Sequence, residues 1–445
     1  MALADESGEN LLLKRVGFTL LALMVFRLGV HIPTPGVNAK ALVALADQHS
    51  GGLLKMLNMF SGGALNQFSI FALGVMPYIS ASIIIQLMTV VVPSLEQLQK
   101  EGGVGRQKLN RITRTLAVII ALLQGYLAAI ALEKAPETAA GAAVLDPGLA
   151  FRLMASLLLT TGTCFVMWLG EQITEKGIGN GTSLIIFAGI VAYFPNGIGK
   201  VVEGLKDNSM TVVTALGLAT FLIAIVFGIS FIEQSYRKIA VHYAKRLVGN
   251  RVVSGQSTHL PLKVNMSGVI PAIFGSTILA VPLSFGGFFG RSSESPWLSA
   301  LIPNQWLYNV IFSLLVLFFC YFYTSITFKP DDIAENLKKQ NAYIPGVRPG
   351  SETAEALDMV VTRLTLAGAI YMNLVCIIPQ VVTGGFSEQL YVGGTSLLIV
   401  IGVALETVRQ VSAQLATQRY DSLLFATKGN SSEPVLTPAT ERSPL

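Results

Sequence analysis

The sequence predicts an all-α membrane protein with ten transmembrane helices, arranged as two inverted halves of five. Three observations predict it. Apolar runs of about 20 residues, the length an α-helix needs to cross a bilayer, recur along the 445 residues. Charged residues make up 13% of the chain and mean hydropathy is +0.60, against about 25% charge in ordinary soluble proteins. So little charge cannot cover a water-exposed surface of this size. Finally, two short motifs recur in the same order, five spans apart.

The first apolar run follows Lys14-Arg15 and continues from Val16 to His31-Ile32-Pro33 without an Ala-x-Ala pattern. It therefore reads as a retained span, not as a signal peptide. The spans are expected at 16–33, 71–92, 112–132, 151–170, 182–194, 211–232, 266–288, 307–328, 364–382 and 392–410. With the N-terminus cytoplasmic, 23 of the 31 Lys and Arg residues flank the cytoplasmic ends and 6 the other ends. This positive-inside bias places both termini in the cytoplasm. Cys164, Cys320 and Cys376 all fall within apolar runs and read as small buried hydrophobes, with no metal or disulfide spacing.

Gly74-Val75-Met76-Pro77-Tyr78-Ile79 in span 2 matches Gly268-Val269-Ile270-Pro271-Ala272-Ile273 in span 7. Gly181-Thr182-Ser183-Leu184-Ile185-Ile186 in span 5 matches Gly394-Thr395-Ser396-Leu397-Leu398-Ile399 in span 10, and Gly189 matches Gly402. A repeat of five crossings enters the membrane from the opposite face the second time. In such inverted folds the functional site usually lies between the halves, near the midplane. The halves are expected at 1–200 and 201–425, with 426–445, rich in Ser, Pro and Thr, as a disordered tail.

Transporters of ions and charged solutes place ionisable groups at membrane depth, and the cores of spans 2, 5, 7 and 10 carry none. Their repeated positions are Val75 with Val269, Ile79 with Ile273 and Ile186 with Ile399. Such residues also suit lipid-facing or helix-packing roles. The repeat favours convergence on the central axis, where an aliphatic ring would seal by dewetting. Arg27, deep in span 1, is either a structural arginine bonded to nearby carbonyls or a functional group. Residues 58–70 are too short and polar to cross. They read as an external loop or re-entrant segment in which Gly62-Gly63 weakens helix formation, so that it packs little and moves at low cost. The segments 233–265 and 329–363 are long cytoplasmic loops carrying Arg237, Lys238, Lys245, Arg246, Arg251 and, at a Pro-Gly turn, Arg348. Orientation and anionic lipid explain part of that charge. The length of the loops fits docking of an anionic partner.

Several blocks resemble the SecY family of bacterial protein-conducting channels: 72–84 (Ala-Leu-Gly-Val-Met-Pro-Tyr-Ile-Ser-Ala-Ser-Ile-Ile), 170–181, 256–271 and 336–350. The resemblance runs from about residue 10 to 424. It implies a clamshell of two five-helix halves around an hourglass channel. That channel passes secretory polypeptides across the inner membrane and releases transmembrane segments sideways into lipid. It implies a pore ring of Val75, Ile79, Ile186, Ile273 and Ile399. It implies a plug over 59–70 that includes Phe60, Ser61, Gly62, Gly63, Ala64, Leu65 and Asn66, and a lateral gate of spans 2 and 3 against 7 and 8, with Ser80 and Gln86. Ribosome and SecA docking would fall to Arg237, Lys238, Lys245, Arg246, Arg251 and Arg348. Implied partners are the SecE and SecG subunits, the SecA motor ATPase, the ribosome with its nascent chain, signal peptides and secretory precursors, YidC and SecDF, and membrane lipids. The chain departs from the family pattern at Thr182, where a further ring residue is usually Ile, and at Asp331, where a basic residue is frequent.

The alternative is an inverted-repeat secondary transporter, which calls for intramembrane charge and short loops. His-Glu-x-x-His, Gly-x-Ser-x-Gly and Walker A patterns are absent from the sequence, which argues against an enzyme built on one of them. No cofactor is implied, so energy must come from a partner.

Overall fold

A computed structural model of the protein describes residues 2–38, 41–42, 58, 61–134, 141–207, 211–243, 246–248, 251–253, 257–288, 305–386 and 393–429. Ten apolar helices carry the chain back and forth. They are α1 (Ala2–Val30), α2 (Met76–Val91), α4 (Gly103–Glu133), α5 (Leu149–Lys176), α6 (Gly181–Lys206), α7 (Val212–Glu233), α8 (Ile270–Phe288), α9 (Trp306–Thr327), α11 (Ser351–Phe386) and α12 (Gly394–Gly429). Two short polar helices, α3 (Pro93–Lys100) and α10 (Pro330–Lys339), lie between them. Among the described residues, seven helices are long and apolar enough to cross a membrane, and α2 with α3, bent by 101°, makes an eighth. The apolar helices α1 and α8 complete the ten.

Several helices overrun the spans expected for them, because bilayer thickness limits the apolar stretch and not the helix. Helix α4 begins at Gly103 and α11 at Ser351, each in polar sequence. Helix α6 continues through Pro195 to Lys206, past the expected end at 194, since a membrane helix tolerates proline where neighbours satisfy the freed carbonyl. Helix α12 continues to Gly429, and 430–445 lie outside the described residues. Helix α2 starts late, at Met76, after a run of turns over 61–75. Its 16 residues span about 24 Å, less than the roughly 30 Å of hydrocarbon. Helix α2 alone is therefore too short to cross.

The repeat has a physical cause in each copy. Gly74 and Gly268 both adopt left-handed backbone, at φ 53° and 63°, a conformation that a β-carbon makes costly. Each precedes a helix whose second residue is proline, Pro77 in α2 and Pro271 in α8, where the missing N–H had no helical partner. Gly181 and Gly394 open α6 and α12 against the carbonyls of the preceding helix. A β-carbon would strike the Gly170 oxygen in the first copy and the Val375 oxygen in the second. Gly394→Ala and Gly181→Ala are each expected to destabilise the protein by ~2 kcal/mol or more, because backbone must shift. Gly217→Ala in α7, where the new carbon meets nothing within 4 Å, should instead be neutral or stabilising by up to about 1 kcal/mol. Thermal unfolding in detergent ranks the three variants, and equal melting points would remove the close-approach argument.

Packing divides into clusters. One gathers residues from α1, α5, α6 and α12 around Phe26, Leu169, Ile185 and Ile399, and a second in the C-terminal half joins α8, α9, α11 and α12 around Phe312, Val316, Met372 and Leu398. Cys320 and Cys376 are buried in that second cluster. Outside the helices, the two long loops join one another. Strands β1 (Tyr236–Tyr243), β4 (Ser257–Lys263) and β5 (Ala342–Tyr343) form an antiparallel sheet in the order β4-β1-β5, with a β2–β3 hairpin (Arg246–Val248, Arg251–Val253) at the tip. Pro261 is accommodated because β4 is an edge strand. Val241, Leu260, Ala342, Ile344 and Leu357 pack under this sheet with Ile333 and Leu337 of α10.

Candidate functional site

The two halves meet around a small cavity lined by Val75, Met76, Ile79, Ile186, Ile273, Thr277 and Ile399. All five residues expected at a ring are therefore brought together, from the start of α2, from α6, from α8 and from α12. Val75, Ile186 and Ile399 are buried in the central cluster, with Ile79 and Ile273 packed against it. Two helices from each half contribute, and each half contributes a helix of either repeated motif. The arrangement is an apolar collar with one hydroxyl, that of Thr277. Met76 and Thr277 were not expected. Thr277 lies one helical turn beyond Ile273, so the i, i+4 spacing pointed to it. Thr182 sits elsewhere, half-buried at the start of α6, where its hydroxyl donates to Asn180 Oδ1 at 2.7 Å.

On one side of the collar lies the segment 61–75. Phe60 lies outside the described residues, whereas Ser61 to Asn66 are described. Ser61, Ala64, Phe68 and Ser69 are buried, Ala64 in the central cluster and Phe68 in another with Ala129, Phe151 and Leu159. The expectation that this segment packs little is thus wrong. Its burial comes from alternate small and aromatic residues that a polar, glycine-containing composition conceals. Phe68 has a positive φ of 44°, and its carbonyl accepts from Thr34 N at 3.0 Å and Thr34 Oγ1 at 2.7 Å. Ile70 N donates to Ile32 O at 3.1 Å. Asn58 closes the other end, accepting from Gly63 N at 2.8 Å through its carbonyl and from Asn66 N at 3.2 Å through Oδ1. Arg27 Nη1 donates to the Gly62 carbonyl at 2.7 Å. The two readings of Arg27 merge, since the carbonyl that it holds belongs to this segment.

Along one flank, α2 packs on α8 and α9. Ile79, Ile83 and Leu87 on one face of α2 meet Phe274 and Ile278 of α8, with Phe319 of α9 behind them. Phe274 and Phe319 pack edge to face, with centroids 5.6 Å apart. Ser80 is half-buried and its hydroxyl bonds back to the Met76 carbonyl at 3.1 Å, and Gln86 is half-buried one turn and a half further on. The contact face between the halves here is aliphatic and aromatic.

A family model described as SecY matches residues 69–408. The protein translocase subunit SecY of Pseudomonas aeruginosa is 46% identical over 424 residues, covering 94% of this chain and 95% of that protein. The Escherichia coli K12 subunit is 46% identical over 423 residues with the same coverage. The chain belongs to the SecY family. Solved structures share its fold. A protein-conducting channel superposes with a TM-score of 0.65 at 14% identity, over 92% of this chain and 93% of that one. A SecY protein, described by a plug domain that stabilises the closed state and maintains a membrane seal, gives 0.67 at 15% identity over the same shares. The ten-helix clamshell of two inverted halves is the fold of this SecY-family chain.

Two of the remaining predicted residues of this SecY-family chain lie on the three-stranded sheet. Arg237 and Lys238 are exposed on β1, paired with Leu262 and Pro261. Arg348 projects from the turn before α11 with its side chain 87% exposed, 3.8 Å from Glu352, a surface pair worth little. Lys245 lies outside the described residues, and Arg246 and Arg251 are described only as strand backbone. Asp331 occupies the first turn of α10 with Asp332, where negative charge meets the positive end of the helix dipole. Sheet pairing between the two loops was not expected. The alternation Ile239, Val241, Tyr243 and Leu260, Leu262 signalled it, at the period of a strand.

Proposed function

We propose that this chain is the pore-forming subunit of a bacterial protein-conducting channel. It passes secretory polypeptides across the inner membrane and releases apolar segments sideways into lipid. The observation that carries this reading is the collar, an apolar constriction assembled from both halves with no charged group among its seven lining residues. Such a constriction excludes water and hydrated ions when empty, and it offers few fixed contacts that would arrest a polypeptide of arbitrary sequence. Val75, Ile79, Ile186, Ile273 and Ile399 act as the pore ring. The segment 61–70 acts as a plug held by Arg27. The aliphatic face between α2 and α8 acts as the lateral gate, since it can part without breaking ion pairs and then faces lipid.

Both termini are cytoplasmic in this proposal, and the sheet face is the docking face. Partners are the SecE and SecG subunits, the ribosome and the SecA motor ATPase, which supplies the energy. The chain acts as a conduit and carries out no chemical step. The test is reconstitution of the complex in proteoliposomes, with a secretory precursor read by protease protection. Arg348→Glu is expected to cut SecA-driven translocation severely while the channel stays folded. Reversing Lys245 and Arg246 to Glu should weaken ribosome binding and flatten its salt dependence by about one unit of log–log slope for each phosphate no longer neutralised. Normal translocation and ribosome binding by both variants would overturn the docking assignment. Failure of the wild-type complex to protect any precursor would overturn the channel reading.

A further inference from the structure

We infer that the Thr277 hydroxyl is a hydrogen-bonding group built into the collar, used by main-chain peptide groups of the passing polypeptide and by water. Through that role it sets how tightly the resting constriction seals. The inference rests on the collar reading above and adds to it the one residue that departs from an apolar ring.

Three observations carry it. Thr277 lines the cavity and is 3% exposed, with an Oγ1 that has no hydrogen-bond partner among the described residues. A buried, unpartnered hydroxyl is unfavourable and is retained where something outside the static fold pairs with it. The second observation concerns the usual escape for a helical threonine, which is to donate to the carbonyl four residues earlier. Thr160, Thr324, Thr365 and Thr407 all do so, at 2.7 to 2.9 Å. The corresponding acceptor for Thr277 is the Ile273 carbonyl, and the Ser276 hydroxyl already donates to it at 2.9 Å. The third observation is the company Thr277 keeps. The other lining side chains are Val75, Met76, Ile79, Ile186, Ile273 and Ile399, none of which can pair with a hydroxyl beyond the weak acceptor sulfur of methionine.

An extended polypeptide entering the collar loses water from its N–H and C=O groups. A rotatable hydroxyl can donate to a carbonyl and then accept from an amide as the chain advances. One such group lowers the barrier to crossing the dry zone without holding any register, because each pairing is replaced by the next. In the resting state the same hydroxyl gives water a foothold that a fully apolar collar would deny. The channel therefore has a higher resting leak and a more permissive entry than an aliphatic residue at 277 would allow.

The experiment compares Thr277→Val, which keeps the shape and removes the hydroxyl, with Thr277→Ser, which keeps the hydroxyl. Resting ion conductance in planar bilayers and precursor translocation in proteoliposomes are read for both. Removing one hydrogen bond should lower resting conductance and slow translocation in Thr277→Val by about fivefold each, with Thr277→Ser close to wild type. Ile186→Ser serves as the control for the collar itself. If Ile186→Ser raises conductance while Thr277→Val matches wild type, the hydroxyl is idle and the inference falls alone. If Thr277→Ser behaves as Thr277→Val, volume and not hydrogen bonding is responsible, and the inference also falls. If Ile186→Ser changes nothing, the collar reading fails and takes this inference with it. Should Thr277→Val not fold, Thr277→Ala provides the hydroxyl-free channel for the same comparison.

Discussion

Replacing Ile186 and Ile399 together with Ser is expected to raise resting ion conductance at least tenfold and to relax the demand for a strong signal sequence. The two residues come from equivalent positions of the repeat, one on α6 and one on α12, and are 7% and 1% exposed. Both line the cavity. Each change removes about three buried carbon positions, at ~0.8 kcal/mol per methylene equivalent, and substitutes a hydroxyl that can hold water. A dewetted constriction depends on apolar walls on all sides, so two polar patches in its lining should wet it. Ile→Leu at the same positions nearly conserves volume and polarity and should leave conductance near wild type. Planar-bilayer recording of the purified complex separates the outcomes. Serine variants at the wild-type baseline would make these residues ordinary packing and move the pore elsewhere.

The architecture was legible because membrane insertion writes itself into composition. Apolar runs and the Gly74–Gly268 and Gly181–Gly394 pairs each follow from a constraint that sequence cannot hide: satisfied backbone in lipid, a left-handed backbone turn, or backbone too close for a side chain. The collar was legible for the same reason, since the repeat singled out Ile79 with Ile273 and Ile186 with Ile399 from dozens of similar aliphatic residues. Three things were not. The burial of 61–70 depends on which carbonyls and rings surround Ala64 and Phe68, and a short polar segment gives no periodic signal of that. The joining of the two loops through β1 and β5 is a long-range pairing of only two residues. Thr277 has no sequence feature that sets it apart from other span threonines, because the occupation of the Ile273 carbonyl by Ser276 is a matter of side-chain geometry.

Replacing Arg27 with Met should release the segment 61–70 without unfolding the protein, which separates a latch from a scaffold. Arg27 Nη1 donates to the Gly62 carbonyl at 2.7 Å, a hydrogen bond to a charged group at membrane depth. Such bonds contribute about 1.5–3 kcal/mol, and every 1.4 kcal/mol is roughly tenfold in a population. The fraction of channels with the segment displaced should therefore rise about tenfold to a hundredfold. Amide exchange at Gly63 and Ser69, whose N–H groups donate to Asn58 O and Ala64 O, should accelerate by a similar factor, with resting conductance rising in parallel. Amides in the middle of α5 should keep their protection, because methionine fills much of the arginine stem's volume and carries no charge to desolvate. Deleting 61–70 outright is a different experiment. It removes Ala64 and Phe68 from two packed clusters and strips Thr34 and Ile32 of their partners, a loss of several kcal/mol, so at about 1 °C per kcal/mol in a chain of this length the melting temperature should fall by several degrees, beyond any change in leak. Unchanged exchange at Gly63 in the methionine variant would show that the Arg27 bond is incidental. A loss of α5 protection would show instead that Arg27 holds up the half itself.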